Sequence, residues 1–313
     1  MQRLDEINAK IRYDFDKLKA EHPERLKRRM NLSFSTWVFG YEELEESIDR
    51  LARFQVPFIE IGGNYGGPDV GYQADPDGVN KLLAKYGVRC SGICGFFSDS
   101  NALNTNNNFV RQTAREYIIQ ETLFCKKVGG TYLLVVPSAV GNANPYDTTD
   151  YQRSVQTLRS VADIFVETGI KCAVEPINSA EVSMCFTVDA AKQYIKDVNH
   201  PGVGHINGDI FHMLCGESHI SEAILRAGDQ LINLHVEDTN RLPLGNGMMD
   251  VDTIIRALYV MGYNTEGRFV TGEPLGPGRN SYAIMFGQHT GEAKDKLVRD
   301  TLYFREREEE LLA

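Results

Sequence analysis

Short apolar runs alternate with amphipathic helical patterns along most of this sequence of 313 residues. Such an alternation predicts parallel strands that are joined by crossover helices. A doubly wound sheet would carry a glycine-rich phosphate turn after its first strand, and the stretch Ser33-Phe-Ser-Thr-Trp-Val-Phe-Gly40 is not such a turn. The sequence therefore predicts an α/β fold, a (β/α)8 TIM barrel. The predicted strands are Asn31–Trp37, Pro57–Ile61, Val88–Gly95, Thr131–Pro137, Lys171–Glu175, Val203–Asp209, Leu231–Val236 and Arg268–Glu273, with helical patterns at 41–54, 76–86, 109–128, 148–168, 187–197, 217–228 and 250–262.

Helical patterns also precede and follow the predicted barrel. Residues 3–20 carry an apolar stripe at three- and four-residue spacing, and residues 292–311 form a charged amphipathic segment. We predict that residues 1–30 are an N-terminal helical extension and that residues 31–313 are one catalytic barrel domain. The stripe must be buried against some surface, and it consists of Leu4, Ile7, Ile11, Phe15 and Leu18.

Two long loops are predicted on the face where the strands end. Gly62–Gly78 follows the second strand, and Pro274–Thr290 follows the eighth and carries Tyr282, Met285 and Phe286. An exposed apolar patch is a liability. We therefore expect the helix 3–20 or the loop Pro274–Thr290 to contact another chain, either a second copy of this protein or a small partner subunit. The alternative, in which both segments fold back on their own barrel, stays open.

Composition excludes several classes of function. Hydrophobic residues make up 42% of the chain and charged residues 24%, which is the balance of a globular protein. The net charge of −10 argues against nucleic acid as the main partner. No apolar run approaches the ~20 residues of a membrane span, and the first residues lack an apolar signal core, which favours a cytoplasmic location. The six cysteines contain no C-x-x-C pair and are predicted to be buried free thiols.

Four polar residues stand at the ends of four consecutive predicted strands. They are Glu175, Asp209, His235 and Glu273, at intervals of 34, 26 and 38 residues. A barrel uses roughly 30 residues per strand–helix unit, and its chemistry lies at the carboxyl ends of its strands. We therefore expect these side chains to converge on one divalent metal ion. The oxygen-rich set favours Mn²⁺, with Mg²⁺, Co²⁺ or Fe²⁺ as alternatives, over a structural zinc ion.

The same four residues suggest a reaction. Four protein ligands on a six-coordinate ion leave two positions, which suit a ketone oxygen and the neighbouring hydroxyl of a sugar. A metal held in this way stabilises an enediolate. Glu175 and Glu273 come from distant strands, so one can remove a proton from the carbon beside the carbonyl while the other returns it. Taken singly, each glutamate is more often a solvated residue, and His235 is more often a structural one.

Three motifs resemble the ketose 3-epimerase group, which includes D-tagatose and D-psicose 3-epimerases, of the xylose isomerase-like barrel superfamily. They are Glu175-Pro-Ile-Asn-Ser-Ala-Glu181, Asp209-Ile-Phe-His212-Met and His235-Val-Glu-Asp-Thr-Asn-Arg241, the last followed by Gly245-Asn-Gly247. The resemblance covers about residues 30–275. It implies that the four strand-end residues bind the metal and that Glu175 and Glu273 also transfer protons. It further implies that His212 and Arg241 hold the carbonyl end of the substrate, and that Glu181 supports them or contacts the substrate.

Some features depart from the pattern of a simple epimerase and leave other reactions open. Gly208 stands where an apolar residue is usual, and Leu244 stands where a proline is usual. The alternative reaction is β-elimination by a lyase, as in inosose dehydratase-like proteins or in the catalytic α subunit of C-glycoside deglycosidases, which acts on 3-keto C-glycosides with a small β subunit. A DNA repair enzyme of the AP endonuclease type would need further histidines, and this chain has none between His22 and His200.

Overall fold

The computed structural model describes residues 2–62, 71–276 and 290–313. In these residues eight parallel strands close into a barrel in chain order, and the first strand pairs with the last. The predicted (β/α)8 fold is therefore confirmed. The strands are β1 Asn31–Ser35, β2 Phe58–Gly62, β3 Arg89–Cys94, β4 Tyr132–Val135, β5 Lys171–Val174, β6 Val203–Asp209, β7 Leu231–Val236 and β8 Phe269–Gly272.

Helices pack around the outside of the barrel, and several begin at a side chain that caps the first turn. Asp75, Thr187 and Asp250 each accept a hydrogen bond from a backbone N–H of the helix that follows. Among the described residues, no helix is long and apolar enough to cross a membrane. The helices are α1 Gln2–Glu21, α2 Leu44–Arg53, α3 Pro76–Tyr86, α4 Asn108–Lys127, α5 Asp150–Arg159, α6 Asp163–Thr168, α7 Val188–Val198, α8 Ile210–Gly216, α9 Ile220–Ala227, α10 Val251–Val260, α11 Gly291–Thr301 and α12 Tyr303–Leu312.

The structure corrects some of the predicted segments. The pattern at 148–168 forms two helices, α5 and α6, and the pattern at 292–311 is interrupted at Leu302. A short helix, α8, precedes the segment predicted at 217–228, because Asp209 caps it directly at the end of β6. Five of the six free cysteines are buried as predicted, but Cys215 is exposed.

The barrel interior changes character from one end to the other. An apolar layer of Phe58, Tyr132, Ala173, Ile232 and Phe269 fills the end where the strands begin. The Tyr132 ring fits there because β3 has a glycine beside it: a Cβ on Gly92 would lie 2.5 Å from that ring. Towards the ends of the strands the buried side chains become polar. The fold therefore encloses its polar groups at the rim where parallel strands of a barrel place their chemistry.

The N-terminal helix α1 packs on its own barrel. Ile11, Phe15 and Leu18 are buried, and the rings of Phe15 and Tyr259 lie 6.1 Å apart at their centroids. Leu4 remains half exposed. Most of the apolar stripe is therefore covered within the chain, mainly by α10, and a contact of this helix with a second chain stays a prediction. Tyr282, Met285 and Phe286 of the loop Pro274–Thr290 lie outside the described residues.

Candidate metal centre

The four strand-end residues lie together, buried, at the rim of the barrel. Asp209 and His235 are within β6 and β7, while Glu175 and Glu273 directly follow β5 and β8. None of the four is more than 6% exposed. The Nδ1 atom of His235 is 3.5 Å from Oε1 of Glu175 and 3.3 Å from Oε2 of Glu273. The closed barrel has thus brought residues from four separate strands to one rim.

Asp209 offers one oxygen to its own helix and leaves the other for the site. Its Oδ1 accepts the backbone N–H groups of Phe211 and His212 at 2.8 and 3.1 Å. Its Oδ2 receives no hydrogen bond from an N–H or hydroxyl group of the described residues, although Asp209 is fully buried. A buried carboxylate oxygen without such a hydrogen bond is costly, so this atom suits a cation, and Nε2 of His212 already lies 3.4 Å from it. A carboxylate-rich set with one imidazole fits a divalent metal ion.

The charges around Asp209 fit the same interpretation. Burial works to raise the pKa of Asp209, but the nearby charges of His212 and Arg241 outweigh it and hold the pKa below its usual value. The terminal guanidinium nitrogen of Arg241 lies 3.7 Å from Oδ2 of Asp209 and 3.8 Å from Oε2 of Glu273. Burial, together with the charge of Asp209, raises the pKa of Glu237 well above its usual value. The rim therefore holds more carboxyl groups than its own cations neutralise.

The ligand atoms fall into two groups that meet at His235. Two sets have such atoms within 4.8 Å of one another: one is Glu175, Asp209 and His212, and the other is Glu60, Cys94, His235 and Glu273. The four predicted ligands are therefore divided between the two sets. The 3.5 Å contact of His235 with Glu175 joins them.

Besides Glu237, the sequence interpretation missed four polar residues of this site. Glu60 contacts His235, and the Sγ of Cys94 lies 3.9 Å from Oε1 of Glu273. Asn207 donates a hydrogen bond to Oε1 of Glu175 at 2.8 Å. The fourth residue, Asn178, is described with the substrate-binding candidates below. The available signal was weak: Glu60 interrupts the apolar run Phe58–Ile61, and a strand in that position is otherwise fully apolar.

The predicted substrate-binding residues form a second layer beside the predicted metal ligands. Asn178 donates hydrogen bonds to Nδ1 of His212 at 2.9 Å and to Oε1 of Glu181 at 2.8 Å. The guanidinium of Arg241 is 3.6 Å from the same Glu181 oxygen and stacks 4.7 Å above the ring of Phe211. These contacts bring Glu181, His212 and Arg241 together, and their role in substrate binding stays a prediction.

Arg241 adopts a backbone conformation that is rare for a residue with a side chain. Its φ is +60°, in the left-handed region. Asp238 stabilises this turn, because its backbone N–H donates to the carbonyl of Leu242 and its carbonyl accepts the N–H of Arg241. Strained residues held by their surroundings are concentrated at functional sites. The fold keeps the Arg241 side chain buried beside the carboxylates.

A small cavity opens onto these groups. Its polar wall includes Glu175, His212, Arg241 and Glu273. The cavity is also lined by apolar side chains, among which the rings of Trp37 and Phe96 are 5.1 Å apart at their centroids. The apolar wall is formed by Trp37, Phe96, Val136, Val140, Ile177 and Leu275.

Comparison with known proteins identifies relatives with the same architecture. A family model described as "Xylose isomerase-like TIM barrel" matches residues 40–275. The chain is 27% identical to a ketose 3-epimerase from Arthrobacter globiformis over 195 residues, which are 62% of this chain and 67% of that protein. It is 30% identical to a 3-dehydro-D-guloside 4-epimerase from Escherichia coli K12 over 133 residues, 41% of this chain and 50% of that one. The structure of D-allulose 3-epimerase from Methylomonas sp. in complex with D-allulose superposes with a TM-score of 0.76 at 22% identity, covering 90% of this chain and 98% of that one.

Proposed function

The chain belongs to the xylose isomerase-like TIM barrel family, and on that basis we propose that it is a divalent-metal-dependent sugar epimerase or isomerase. Its proposed substrate is a ketose or a keto-sugar. The observation that carries the proposal is the buried Oδ2 of Asp209, which receives no hydrogen bond from an N–H or hydroxyl group of the described residues and belongs to a carboxylate grouped with Glu175 and His212. The names of the relatives support the enzyme class, because they are epimerases of ketoses and of a keto-glycoside.

The proposed ligands are Glu175, Asp209, His235 and Glu273, with Mn²⁺ as the first choice of metal. A bound divalent ion would supply Lewis acid chemistry, which polarises a carbonyl and makes the neighbouring C–H bond more acidic. Oxygen ligands predominate in the set, and hard cations such as Mn²⁺ and Mg²⁺ prefer oxygen. The single imidazole is compatible with Co²⁺ and Fe²⁺ as well.

Proton transfer is assigned to Glu175 and Glu273. They follow β5 and β8, three strands apart in a barrel of eight, and both face the same nitrogen of His235. One glutamate would take the proton from the carbon beside the carbonyl, and the other would return a proton to the opposite face. When both act on one carbon, its configuration is inverted.

The second layer would orient the sugar. His212 and Arg241 can donate hydrogen bonds to sugar oxygens, and Glu181 holds Arg241 from the other side at 3.6 Å. The apolar wall with Trp37 and Phe96 would cover the C–H face of the sugar and exclude water from the reacting carbon.

Incubation in deuterated water tests this proposal. Protein loaded with Mn²⁺ is incubated with D-fructose, D-allulose, D-tagatose or a 3-keto-glycoside, and proton NMR follows the products. We expect deuterium at the carbon beside the carbonyl and a product with inverted configuration there. The Glu273→Gln variant, which preserves side-chain size, is the matched control and should form no epimer, because only one face of the carbon retains a base.

The products also distinguish the competing reaction. An unsaturated product or a released aglycone would replace the epimerase proposal with the lyase alternative. Absence of exchange with every substrate, from protein shown to be metal-loaded, would contradict the assignment of the two glutamates.

A further inference from the structure

Glu60 lies inside the barrel, directly against His235. It is the third residue of β2 and is fully buried. Both of its carboxylate oxygens lie 3.1 Å from Nε2 of His235. Its Oε1 also accepts hydrogen bonds from the hydroxyl of Tyr132 at 2.6 Å and from Nδ2 of Asn233 at 3.0 Å. Glu60 is thus a deeply buried carboxylate that accepts hydrogen bonds from three side chains on two other strands, β4 and β7.

This arrangement assigns the two nitrogens of His235 to different tasks. A carboxylate accepts hydrogen bonds, so Nε2 of His235 must carry a proton where it faces Glu60. The other nitrogen, Nδ1, faces Glu175 and Glu273 at 3.5 and 3.3 Å. A histidine that binds a metal usually donates its second N–H to a carboxylate, which fixes its tautomer and ring orientation.

We propose that Glu60 is the positioning residue of the metal centre: by accepting the Nε2–H of His235, it fixes the imidazole with Nδ1 as the metal-binding nitrogen. The inference rests on the proposed metal centre. It deepens that proposal, because it names the nitrogen that binds and the residue that selects it. Glu60 does not line the cavity beside Glu175 and Glu273, so it acts through His235 rather than on the substrate.

A chain of hydrogen bonds also connects Glu60 to Glu175. Asn233 donates to Glu60 and also to Oδ1 of Asn207 at 2.7 Å. Asn207 in turn donates to Oε1 of Glu175 at 2.8 Å. Thr271 donates to Oδ1 of Asn233 at 2.7 Å and fixes the orientation of that amide. Two of the four proposed ligands are therefore oriented by one buried network, and Glu60 is its charged member.

The test compares Glu60→Gln with the wild-type protein. Glutamine preserves the size of the side chain and one acceptor oxygen, but it removes the charge. Mn²⁺ affinity is measured by electron paramagnetic resonance titration of the full chain, and circular dichroism checks the fold. Because outer-shell partners typically change metal affinity by roughly 10- to 100-fold, we expect the dissociation constant of Mn²⁺ to rise by that factor.

A second readout reports the tautomer directly. The protein is labelled with ¹⁵N-histidine and loaded with diamagnetic Mg²⁺, and ¹⁵N NMR identifies which nitrogen of His235 carries a proton. The wild type should show a protonated Nε2 and an unprotonated Nδ1, and Glu60→Gln should show a mixture. Tyr132→Phe is the matched control: it removes one donor to Glu60 but leaves the contact with His235, so it should preserve the wild-type tautomer and metal affinity.

Each outcome decides the inference. An unprotonated Nε2 in the metal-loaded wild type overturns it without any variant, as does a Glu60→Gln protein that binds Mn²⁺ as tightly as the wild type. If Glu60→Gln does not fold, Glu60→Asp, whose shorter side chain withdraws the carboxylate from His235, gives the same comparison. A wild-type chain that binds no divalent metal contradicts the proposed function itself. A wild-type chain that binds metal with an affinity that the Glu60 variants do not change contradicts only this inference.

Discussion

Replacing Asp209 with asparagine should separate its structural role from its proposed role as a metal ligand. Asp209 begins α8, where Oδ1 accepts the N–H groups of Phe211 and His212. Asparagine caps helices about as well as aspartate does, so Asp209→Asn should preserve the start of α8. The variant loses the negative charge and the second carboxylate oxygen, Oδ2, which is the atom proposed to bind the metal.

The expected magnitude follows from the linkage between metal binding and unfolding. A ligand at about 100 times its dissociation constant raises the free energy of unfolding by ~2.7 kcal/mol. If the lost ligand weakens binding roughly 100-fold, the top of the range for outer-shell partners, the same metal concentration gives only about 0.4 kcal/mol. For 313 residues, an unfolding entropy of ~2.1 cal/mol/K per residue converts 1 kcal/mol into about 1.5 °C. Metal should therefore raise Tm by about 4 °C in the wild type and by less than about 1 °C in Asp209→Asn.

Thermal denaturation by circular dichroism, with chelator and then with Mn²⁺, measures this difference. The matched control is Asp250→Asn, because Asp250 caps α10 by accepting the N–H of Thr253 at 3.0 Å and is not among the grouped ligand atoms. That variant should retain the full metal-dependent rise in Tm. If Asp209→Asn retained it too, Asp209 would not be a ligand. If no divalent ion raised Tm in the wild type, the metal centre itself would be refuted.

Five further substitutions have defined outcomes. Glu175→Gln and Glu273→Gln should each lower kcat by roughly 10²- to 10⁴-fold in steady-state assays, while the fold is retained. A variant with near wild-type turnover would show that the replaced glutamate is not a base. Arg241→Ala should impair turnover while its metal content, measured by atomic emission, stays unchanged. If the variant instead loses metal but turns over normally when metal is saturating, Arg241 supports the metal ligands rather than the substrate. Phe15→Ala should lower the free energy of unfolding by about 3–5 kcal/mol in urea denaturation, because Phe15 is buried against α10. A negligible loss would show that α1 does not stabilise the barrel. Burial raises the pKa of Glu121 to about 8, so the folded state keeps a proton that the unfolded state has already released, and the free energy of unfolding should fall as pH rises from about 4.5 to 8. Glu121→Gln should flatten this pH dependence in Tm measurements and raise Tm at pH 8. An unchanged slope would contradict the raised pKa of Glu121.

Local sequence patterns determined the barrel and most of its strands. The bounds of β6 and β7, Val203–Asp209 and Leu231–Val236, match the predicted segments at both ends. Parallel strands of a barrel are buried on both faces, so they are continuous apolar runs that end at polar or turn residues. The helical segments were found for a similar reason, since their apolar residues recur with the helical period. The interruption between α5 and α6 was missed, because the same pattern continues through it.

The positions of the candidate ligands could also be predicted without a structure. Once the chain is known to be a parallel barrel, the carboxyl ends of all strands lie on one rim. A polar residue that closes a strand must then point near that rim, whatever its distance along the chain. This topological rule brought Glu175, Asp209, His235 and Glu273 together. The relatives bear out the enzyme class, a sugar isomerase or epimerase, that the same motifs predicted.

Only the tertiary structure decided what surrounds these ligands. Glu60 is 175 residues from His235 in sequence, and whether a residue within a buried strand faces the barrel interior depends on the tilt and register of all eight strands. The register shifts beside Glu60 and Asn207 illustrate this dependence. The apolar stripe of α1 likewise showed that a surface must be covered, but not that α10 of the same chain covers it. The sequence thus determined which residues reach the rim, because that follows from local pattern and topology, whereas their partners depended on how distant segments pack in three dimensions.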